Sequence, residues 1–203
     1  MAEKRTRMRG EERREFILAH AKRVFAEHSY AEASTGELAR ASEVTEPMLY
    51  KHFGSKKGLF LAVMYEFCNR FFRMFSERVS RQAEQNLVAE LGHVLVDYRE
   101  TITADPDIHK VLIQGVSESN DDPQIANGVR EHNERVYALI YQLLERAQEE
   151  GIIRADVNLD VATWGYLSVV FTMQYNSVLD FRQGLTDEML LALNHLWLRS
   201  LLP

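Results

Sequence analysis

The chain has little of what marks a disulfide-linked, membrane-spanning or disordered protein. Cys68 is the one cysteine among 203 residues, which excludes an internal disulfide and a cysteine zinc site, so we expect the reducing cytosol. Four prolines and ten glycines are too few for a collagen-like or low-complexity chain. No apolar run approaches the roughly 18 residues of a membrane span, and no apolar segment follows the basic N-terminus, so we expect neither a membrane helix nor a signal peptide.

The composition is that of a globular protein, but the charge is distributed unevenly. Hydrophobic residues make up 46% of the chain and charged residues 27%, close to the globular average. The net charge is -6, yet residues 1–60 carry a net charge of +3 and residues 61–203 a net charge of -9. This asymmetry predicts a small basic module attached to a larger acidic body.

Apolar residues recur with a helical period along most of the chain. Ile17, Ala21, Val24 and Phe25 follow the i, i+4, i+7, i+8 spacing of one helix face. Capping residues and renewed apolar stripes predict later helices beginning near residues 34, 45, 55, 87, 108, 125, 160 and 186. No alternating strand pattern persists, so the sequence predicts an all-α chain of about nine helices.

Two of these predicted helices are short and follow the longer first helix, which is the arrangement of a helix-turn-helix. Ser34 and Glu37 have the spacing of a capping box, and Pro47 fits the first turn of the second short helix. The apolar contacts between the helices would come from Leu38, Ala39, Val44, Leu49 and Phe53. The residues among and beside them that need not be buried are left to face a DNA groove or phosphates: Thr45, Glu46, Met48, Tyr50, Lys51, His52 and Lys56.

The stretch from Thr35 to Phe53, followed by Ser55 to Phe60, resembles the TetR family of bacterial one-component transcriptional regulators. The run Leu-Tyr-x-His-Phe followed by x-x-Lys-x-x-Leu is the most distinctive part, and the resemblance covers roughly residues 10–65. It implies an N-terminal three-helix helix-turn-helix domain and a larger C-terminal helical domain for ligand binding and dimerisation. The family often has glycine where this chain has Ser29 and Glu43, and a left-handed backbone at either would cost turn stability.

The resemblance also implies roles for single residues of the motif. The positions that contact DNA phosphates in the family correspond here to Tyr50, His52 and Lys56. The positions that read base edges correspond to Glu46, Pro47, Met48 and Lys51. The start of the first short helix, which meets a phosphate in the family, corresponds to Ser34, Thr35 and Gly36.

The sequence and the resemblance together predict three parts: a flexible basic arm over 1–9, a DNA-binding domain over 10–57, and an effector-binding and dimerisation domain over 58–203. The expected function is that of a ligand-responsive repressor. It would bind a near-palindromic operator in double-stranded DNA as a homodimer and be released by a small, largely apolar molecule. We expect no enzymatic activity, no cofactor, no metal and no membrane partner.

The last predicted helix is apolar on nearly every side, so it must be buried, and a helix at a chain end needs a partner to cover its outer face. The helix before it carries an apolar stripe suited to the same purpose. Pairing of the two helices across a twofold axis would form a four-helix bundle. The candidate interface residues are Trp164, Tyr175, Leu190, Leu193, Trp197 and Leu201.

The fourth predicted helix carries more aromatic side chains than one packing stripe needs, and aromatic residues line adaptable cavities well. We therefore expect an effector pocket between this helix and its neighbours, although ordinary core packing is an alternative for each single residue. The candidate lining residues are Phe67, Phe71, Phe75, His93, Tyr98, Tyr141, Phe171 and Gln174.

Two other classes of function remain open on the sequence alone. A helical di-iron enzyme needs a Glu-x-x-His motif from each of two helices, and this chain has only Glu90 to His93. His93 and Asp97 share a helix face and fit a surface pair or a core pair. A helical interaction protein without a ligand is the second alternative, and an internal cavity would distinguish a regulator from it.

Overall fold

The computed structural model describes residues 10–82, 95–96, 98–100, 103–179 and 186–203, without the side chains of residues 71, 74–82 and 177–179. Residues 95–96, 98–100 and 103–104 are helical, and no strand occurs in these ranges. Eight longer helices are α1 Gly10–Glu27, α2 Thr35–Ala41, α3 Glu46–Phe53, α4 Lys56–Gln82, α5 Pro106–Glu118, α6 Pro123–Glu149, α7 Leu159–Leu179 and α8 Asp187–Leu201. The all-α prediction is confirmed, while most of the helix predicted to begin near residue 87 lies outside the described residues.

Side-chain caps fix most of the helix starts that the sequence predicts. Ser34 Oγ accepts a hydrogen bond from Glu37 N (3.2 Å) at α2, and Ser55 Oγ accepts one from Gly58 N (2.9 Å) at α4. Thr186 Oγ1 accepts one from Met189 N (3.2 Å) at α8. Thr45 is the N-cap residue of α3, but its exposed hydroxyl group makes no capping hydrogen bond to the helix backbone.

The loop before α2 holds a second capping interaction that the sequence analysis did not identify. Ser29 Oγ accepts from Glu32 N (3.2 Å), and Glu32 Oε2 accepts from Ser29 N (3.4 Å), which is the reciprocal pattern of a capping box. At the capping box predicted for Ser34 and Glu37, one of the two reciprocal hydrogen bonds is present, the one from Glu37 N to Ser34 Oγ. The Glu37 carboxylate lies 3.1 Å from His28 Nε2, at the end of α1.

The turn between α2 and α3 has a left-handed backbone at Glu43, the position where the TetR family often has glycine. Glu43 has a φ of 50° and is the one non-glycine residue with a positive φ in the described part of the chain. Ser29 therefore does not adopt the left-handed conformation, because its capping interactions replace a glycine turn there. Gly54 ends α3 with a φ of 74°, in the left-handed region that favours glycine.

The buried apolar residues form two clusters, and their division does not follow the predicted boundary at residue 57. The first cluster joins α1, α2 and α3 to the first half of α4 and to α5. The second joins Leu95 and Tyr98 to α6, α7 and α8. Helices α4 and α5 therefore connect the N-terminal helices to the body.

Polar contacts reinforce this connection at three points. Lys22 of α1 pairs with Asp105, which precedes α5. Gln114 of α5 donates from Nε2 to the carbonyl of Phe25 (2.7 Å), near the end of α1. Lys57 Nζ lies 2.7 Å from Asp122 Oδ2, so the start of α4 is fixed to the cap of α6. None of the described helices has the length and apolarity needed to cross a bilayer.

Candidate nucleic-acid interface and internal cavity

Helix α3 has one buried residue and a largely exposed surface. Leu49 is fully buried, and Phe53 packs at the edge of the same core. Met48 is 38% exposed and Tyr50 is 42% exposed, although both are large and apolar. The other exposed members of the predicted DNA-contacting set on and before this helix are Thr45, Glu46, Pro47, Lys51 and His52.

The end of α3 is held very close to the start of α4. A Cβ atom on Gly58 would lie 2.0 Å from the carbonyl oxygen of Phe53, a distance that no side chain tolerates. The Arg14 guanidinium lies 5.5 Å from the centre of the Phe53 ring. Glycine at position 58 therefore fixes the direction in which α3 leaves the body.

Lys56, which we predict to contact a phosphate, is engaged inside the protein. Its Nζ donates to the carbonyls of Tyr30 (2.8 Å), Ala31 (3.3 Å) and Ala33 (3.1 Å). It also lies 4.7 Å from the centre of the Tyr30 ring. An ammonium group has three donors, so these contacts employ all of them to fix the loop that leads into α2.

The N-terminal part of α2 meets the first residue of α3. Thr35 Oγ1 donates to Glu46 Oε2 (2.8 Å), and a Cβ on Gly36 would lie 3.3 Å from Glu46 Oε1. Ser34 lies beside them with an exposed side chain that caps α2. The structure thus brings together predicted phosphate-contacting residues and a predicted base-reading residue.

An internal cavity of about 40 Å³ lies between α4, α6 and α7. Four of the predicted effector-binding residues line it: Phe67, Tyr98, Phe171 and Gln174. Gln174 Nε2 donates to Tyr98 Oη (2.5 Å), and burial raises the pKa of the Tyr98 hydroxyl, which therefore stays protonated. Apart from the polar residues His132 and Asn133, the rest of the lining is mostly apolar and comes from Cys68, Val136, Leu139, Ile140, Tyr166, Leu167 and Val170.

The remaining predicted pocket residues are placed elsewhere or not described. Tyr141 is not among the residues that line the cavity, and its ring stacks on Tyr137 (ring centroids 6.1 Å apart). Tyr137 in turn contacts Trp164 (ring centroids 5.9 Å apart), so Tyr141 belongs to an aromatic cluster beside the cavity. The side chains of Phe71 and Phe75, and His93 as a whole, lie outside the described residues.

The sequence analysis did not identify His132, which lines the same cavity. Its Nδ1 is buried without a hydrogen-bond partner, and burial with the nearby Arg135 lowers the pKa of the ring to about 4. The imidazole is therefore neutral at pH 7 and carries a free polar atom in a mostly apolar space. Its spacing of four residues from Val136 and eight from Ile140 was the signal that could have placed it on the inner face of α6.

The outer face of α7 is exposed and apolar, with Trp164 56% exposed and Tyr175 51% exposed. Between them, Ser168 Oγ donates to the Trp164 carbonyl (2.7 Å) and Thr172 Oγ1 donates to the Ser168 carbonyl (2.8 Å). Because both hydroxyls already have acceptors within the helix, a partner could cover this face without leaving a donor unsatisfied.

The outer face of α8 carries Leu193 and Leu196, which is 67% exposed. Leu190 and Leu201, which we predict at the dimer interface, are instead buried in the chain's own second core, so that prediction is corrected for these two residues. They lie on the inner face because residues 190, 194, 198 and 201 follow the helical period. Trp197 is half-buried, with Nε1 donating to the Ala162 carbonyl (3.1 Å) of α7.

Comparison with known proteins gives a consistent result. The family model for "Bacterial regulatory proteins, tetR family" matches residues 17–63. The HTH-type transcriptional repressor AcnR of Corynebacterium diphtheriae is 31% identical over 152 residues, which cover 73% of this chain and 72% of that protein. The HTH-type transcriptional regulator UidR of Escherichia coli is 24% identical over 182 residues, covering 83% of this chain and 87% of the relative.

Solved structures share the fold. The fatty acid degradation regulator FadR of Bacillus halodurans superimposes with a TM-score of 0.79 over 95% of this chain and 97% of that chain, at 17% identity. At this identity the superposition supports the arrangement of the helices and nothing finer.

Proposed function

Because the chain belongs to the TetR family of bacterial regulatory proteins and is a DNA-binding transcriptional regulator, we propose that it is a homodimeric repressor of the bacterial cytoplasm. Its α3 helices would read a near-palindromic operator, and a small, largely apolar molecule would release it. The observation that carries this proposal is the exposed surface of α3, which surrounds the single buried anchor Leu49. Met48 and Tyr50 expose apolar surface next to the polar groups of Lys51 and His52, a mixture that suits base edges and phosphates.

In the DNA complex, each residue of this surface has a role that follows from its chemistry. Tyr50 and His52 have polar tips suited to phosphate oxygens, which position the helix without reading sequence. Met48 can contact a thymine methyl group, and Lys51 can donate to a guanine edge. Lys56 contributes by fixing the loop before α2, since its donors are already on the carbonyls of that loop.

The homodimer would form through the outer faces of α7 and α8. Trp164 and Tyr175 on α7 and Leu193 and Leu196 on α8 are large apolar residues with exposed side chains. Soluble monomers rarely expose large apolar patches, and such patches mark protein interfaces. Pairing across a twofold axis would give a four-helix bundle and would place two α3 helices about 34–36 Å apart, in successive major grooves.

The effector would bind in the cavity between α4, α6 and α7. Its mostly apolar lining suits an apolar molecule, and His132 Nδ1 and the Tyr98–Gln174 pair offer polar contacts at defined places. A cavity of about 40 Å³ holds only one or two water molecules, so an effector must widen it.

Widening would move α4, which lines the cavity with Phe67 and Cys68 and begins directly beside α3. The spacing between the two α3 helices of the dimer would change as a result. Release then requires the effector to bind the widened form more tightly than the DNA-bound form.

Selection of duplexes from a random pool tests this function. The purified protein should enrich a near-palindrome, and the same selection with Lys51→Ala should alter the preferred bases at fixed positions of each half-site. Glu27→Ala, at the exposed end of α1, serves as the control and should recover the wild-type motif. The proposal is wrong if the wild-type protein enriches no sequence.

A further inference from the structure

Glu46 occupies an unusual position for an acidic residue on a surface that approaches DNA. It is the first residue of α3 and is exposed. One carboxylate oxygen accepts from Thr35 Oγ1 at 2.8 Å, and the other lies against Gly36. The carboxylate is therefore held at the junction of the two helices of the motif.

A carboxylate at this point opposes DNA of arbitrary sequence. Phosphate contacts supply nearly all of the affinity for non-specific DNA, and a negative charge among them weakens it. The hydrogen bond from Thr35 keeps the side chain in place instead of letting it turn into solvent. Glu46 thus lowers binding everywhere unless a particular base compensates for it.

Only some base edges can provide that compensation. An ionised carboxylate accepts hydrogen bonds and donates none. In the major groove, guanine presents two acceptors, thymine an acceptor and a methyl group, and cytosine an amino donor at N4. Adenine also presents an amino donor, at N6, but its N7 acceptor lies directly beside it and repels a carboxylate. A glutamate facing guanine or thymine is left without a partner, whereas one facing cytosine gains a hydrogen bond.

We propose that Glu46 is a specificity-determining residue that accepts a hydrogen bond from a cytosine amino group in each half-site, and that Thr35 is the positioning residue for its carboxylate. This rests on the proposed function, since it requires α3 to lie in the major groove. Glu46 excludes other bases as much as it attracts cytosine, because the carboxylate stays unpaired opposite guanine or thymine and meets the N7 lone pair beside the amino group of adenine.

A purely structural role for Glu46 makes different predictions. An acidic residue in the first turn of a helix interacts favourably with the helix dipole, and the Thr35 bond could simply join α2 to α3. Glu46→Gln keeps an acceptor for Thr35 but removes the charge. If Glu46 only joins α2 to α3, Glu46→Gln should keep the wild-type base preference. If Glu46 contacts a base, Glu46→Gln should have a weaker base preference than the wild type.

The test measures affinities of the wild type, Glu46→Gln, Glu46→Ala and Thr35→Val for the selected operator, for operators changed at each position, and for a random duplex. The wild type should lose about tenfold in affinity when one particular cytosine of a half-site is replaced. In Glu46→Ala this loss should fall below about twofold. Glu46→Gln, whose amide presents a donor beside its acceptor, should lose part of the preference for cytosine and gain affinity for adenine at that position, and affinity for the random duplex should rise in both variants. Thr35→Val should weaken the preference for cytosine without raising affinity for random DNA.

Glu27→Gln removes one charge from an exposed site on α1 and is the matched control, which should keep the wild-type preference. Far-UV circular dichroism and melting of each variant exclude misfolding, and the Gln variant carries the test if the Ala variant melts early. The inference is overturned if both Glu46 variants keep the wild-type preference at every position. If the wild type binds no duplex selectively, the proposed function fails before this inference is reached.

Discussion

Glu43 carries a side chain where the backbone favours glycine. Its φ of 50° lies in the left-handed region, where a Cβ atom costs about 1–2 kcal/mol. The strain stays within the turn that sets the angle between α2 and α3. Glu43 therefore destabilises the fold at the turn that connects the two helices of the helix-turn-helix.

Glu43→Gly should relieve this strain and raise the free energy of unfolding by about 1 kcal/mol. Glu43→Ala is the matched control, because it removes the same side chain but keeps the Cβ atom. Urea denaturation gives the free energy of unfolding of the two variants, and the difference between them measures the cost of a Cβ atom at this backbone conformation. Equal stabilities would show that the turn is not strained by the Cβ atom.

His132 links the cavity to the pH dependence of stability. Its pKa is about 6.5 in an unfolded chain and is lowered to about 4 in the folded protein by burial and by Arg135. Between these values only the unfolded chain binds the proton, so the free energy of unfolding falls as the pH drops from 6.5 towards 4. His109, whose pKa burial also lowers to about 4, adds to the same decline.

Between pH 7.5 and pH 5, the free energy of unfolding should therefore fall by about 2 kcal/mol less in His132→Gln than in the wild type. Urea denaturation at the two pH values measures this difference. His195→Gln, at an exposed position on α8, should show the full wild-type decline. An identical decline in His132→Gln and the wild type would mean that this ring is not buried in a neutral form.

At the scale of elements, the loop before α2 depends on a residue from another helix. Lys56 of α4 binds three carbonyls of residues 30–33 and the face of Tyr30. The loop sets where α2 begins, and α2 and α3 are joined by a short turn. One lysine thus connects α4 to the placement of the whole motif.

Lys56→Met should lower the free energy of unfolding by about 2 kcal/mol, because three carbonyls lose a charged donor while the aliphatic stem is kept. It should also weaken binding to DNA of any sequence. Lys51→Met removes the same charge from an exposed site on α3 and should change DNA binding without changing stability. Wild-type stability of Lys56→Met would contradict the role given to its ammonium group.

The helices and their starts were predictable because local signals determine them. Ser34, Ser55 and Thr186 cap helices at the expected places, and the strain at Glu43 followed from one missing glycine. The role of Lys56 was not predictable, because it depends on the carbonyls of residues 30–33, far away in the chain. The helical spacing of His132 indicates an inner face of α6, but its lowered pKa depends on burial by other helices. Leu190 and Leu201 were misplaced because a helix that is apolar on all sides does not reveal which side its own chain covers.

At the scale of the molecule, the second cluster of buried residues covers the inner faces of α7 and α8 and leaves their outer faces exposed. Leu196→Glu places a charge on the most exposed apolar residue of α8 and should produce a monomer at micromolar concentration in sedimentation velocity. Val116→Glu, at another exposed apolar site on α5, should remain a dimer. A wild-type protein that sediments as a monomer would contradict the proposed interface.

The central claim is that one dimer reads two half-sites with two fixed α3 helices. Fluorescence anisotropy with the selected operator and with a version carrying about five extra base pairs between its half-sites tests it most directly. The insertion turns one half-site to the opposite side of the duplex, so affinity should fall to that of an operator with a single half-site. Unchanged affinity for the lengthened operator would contradict the account.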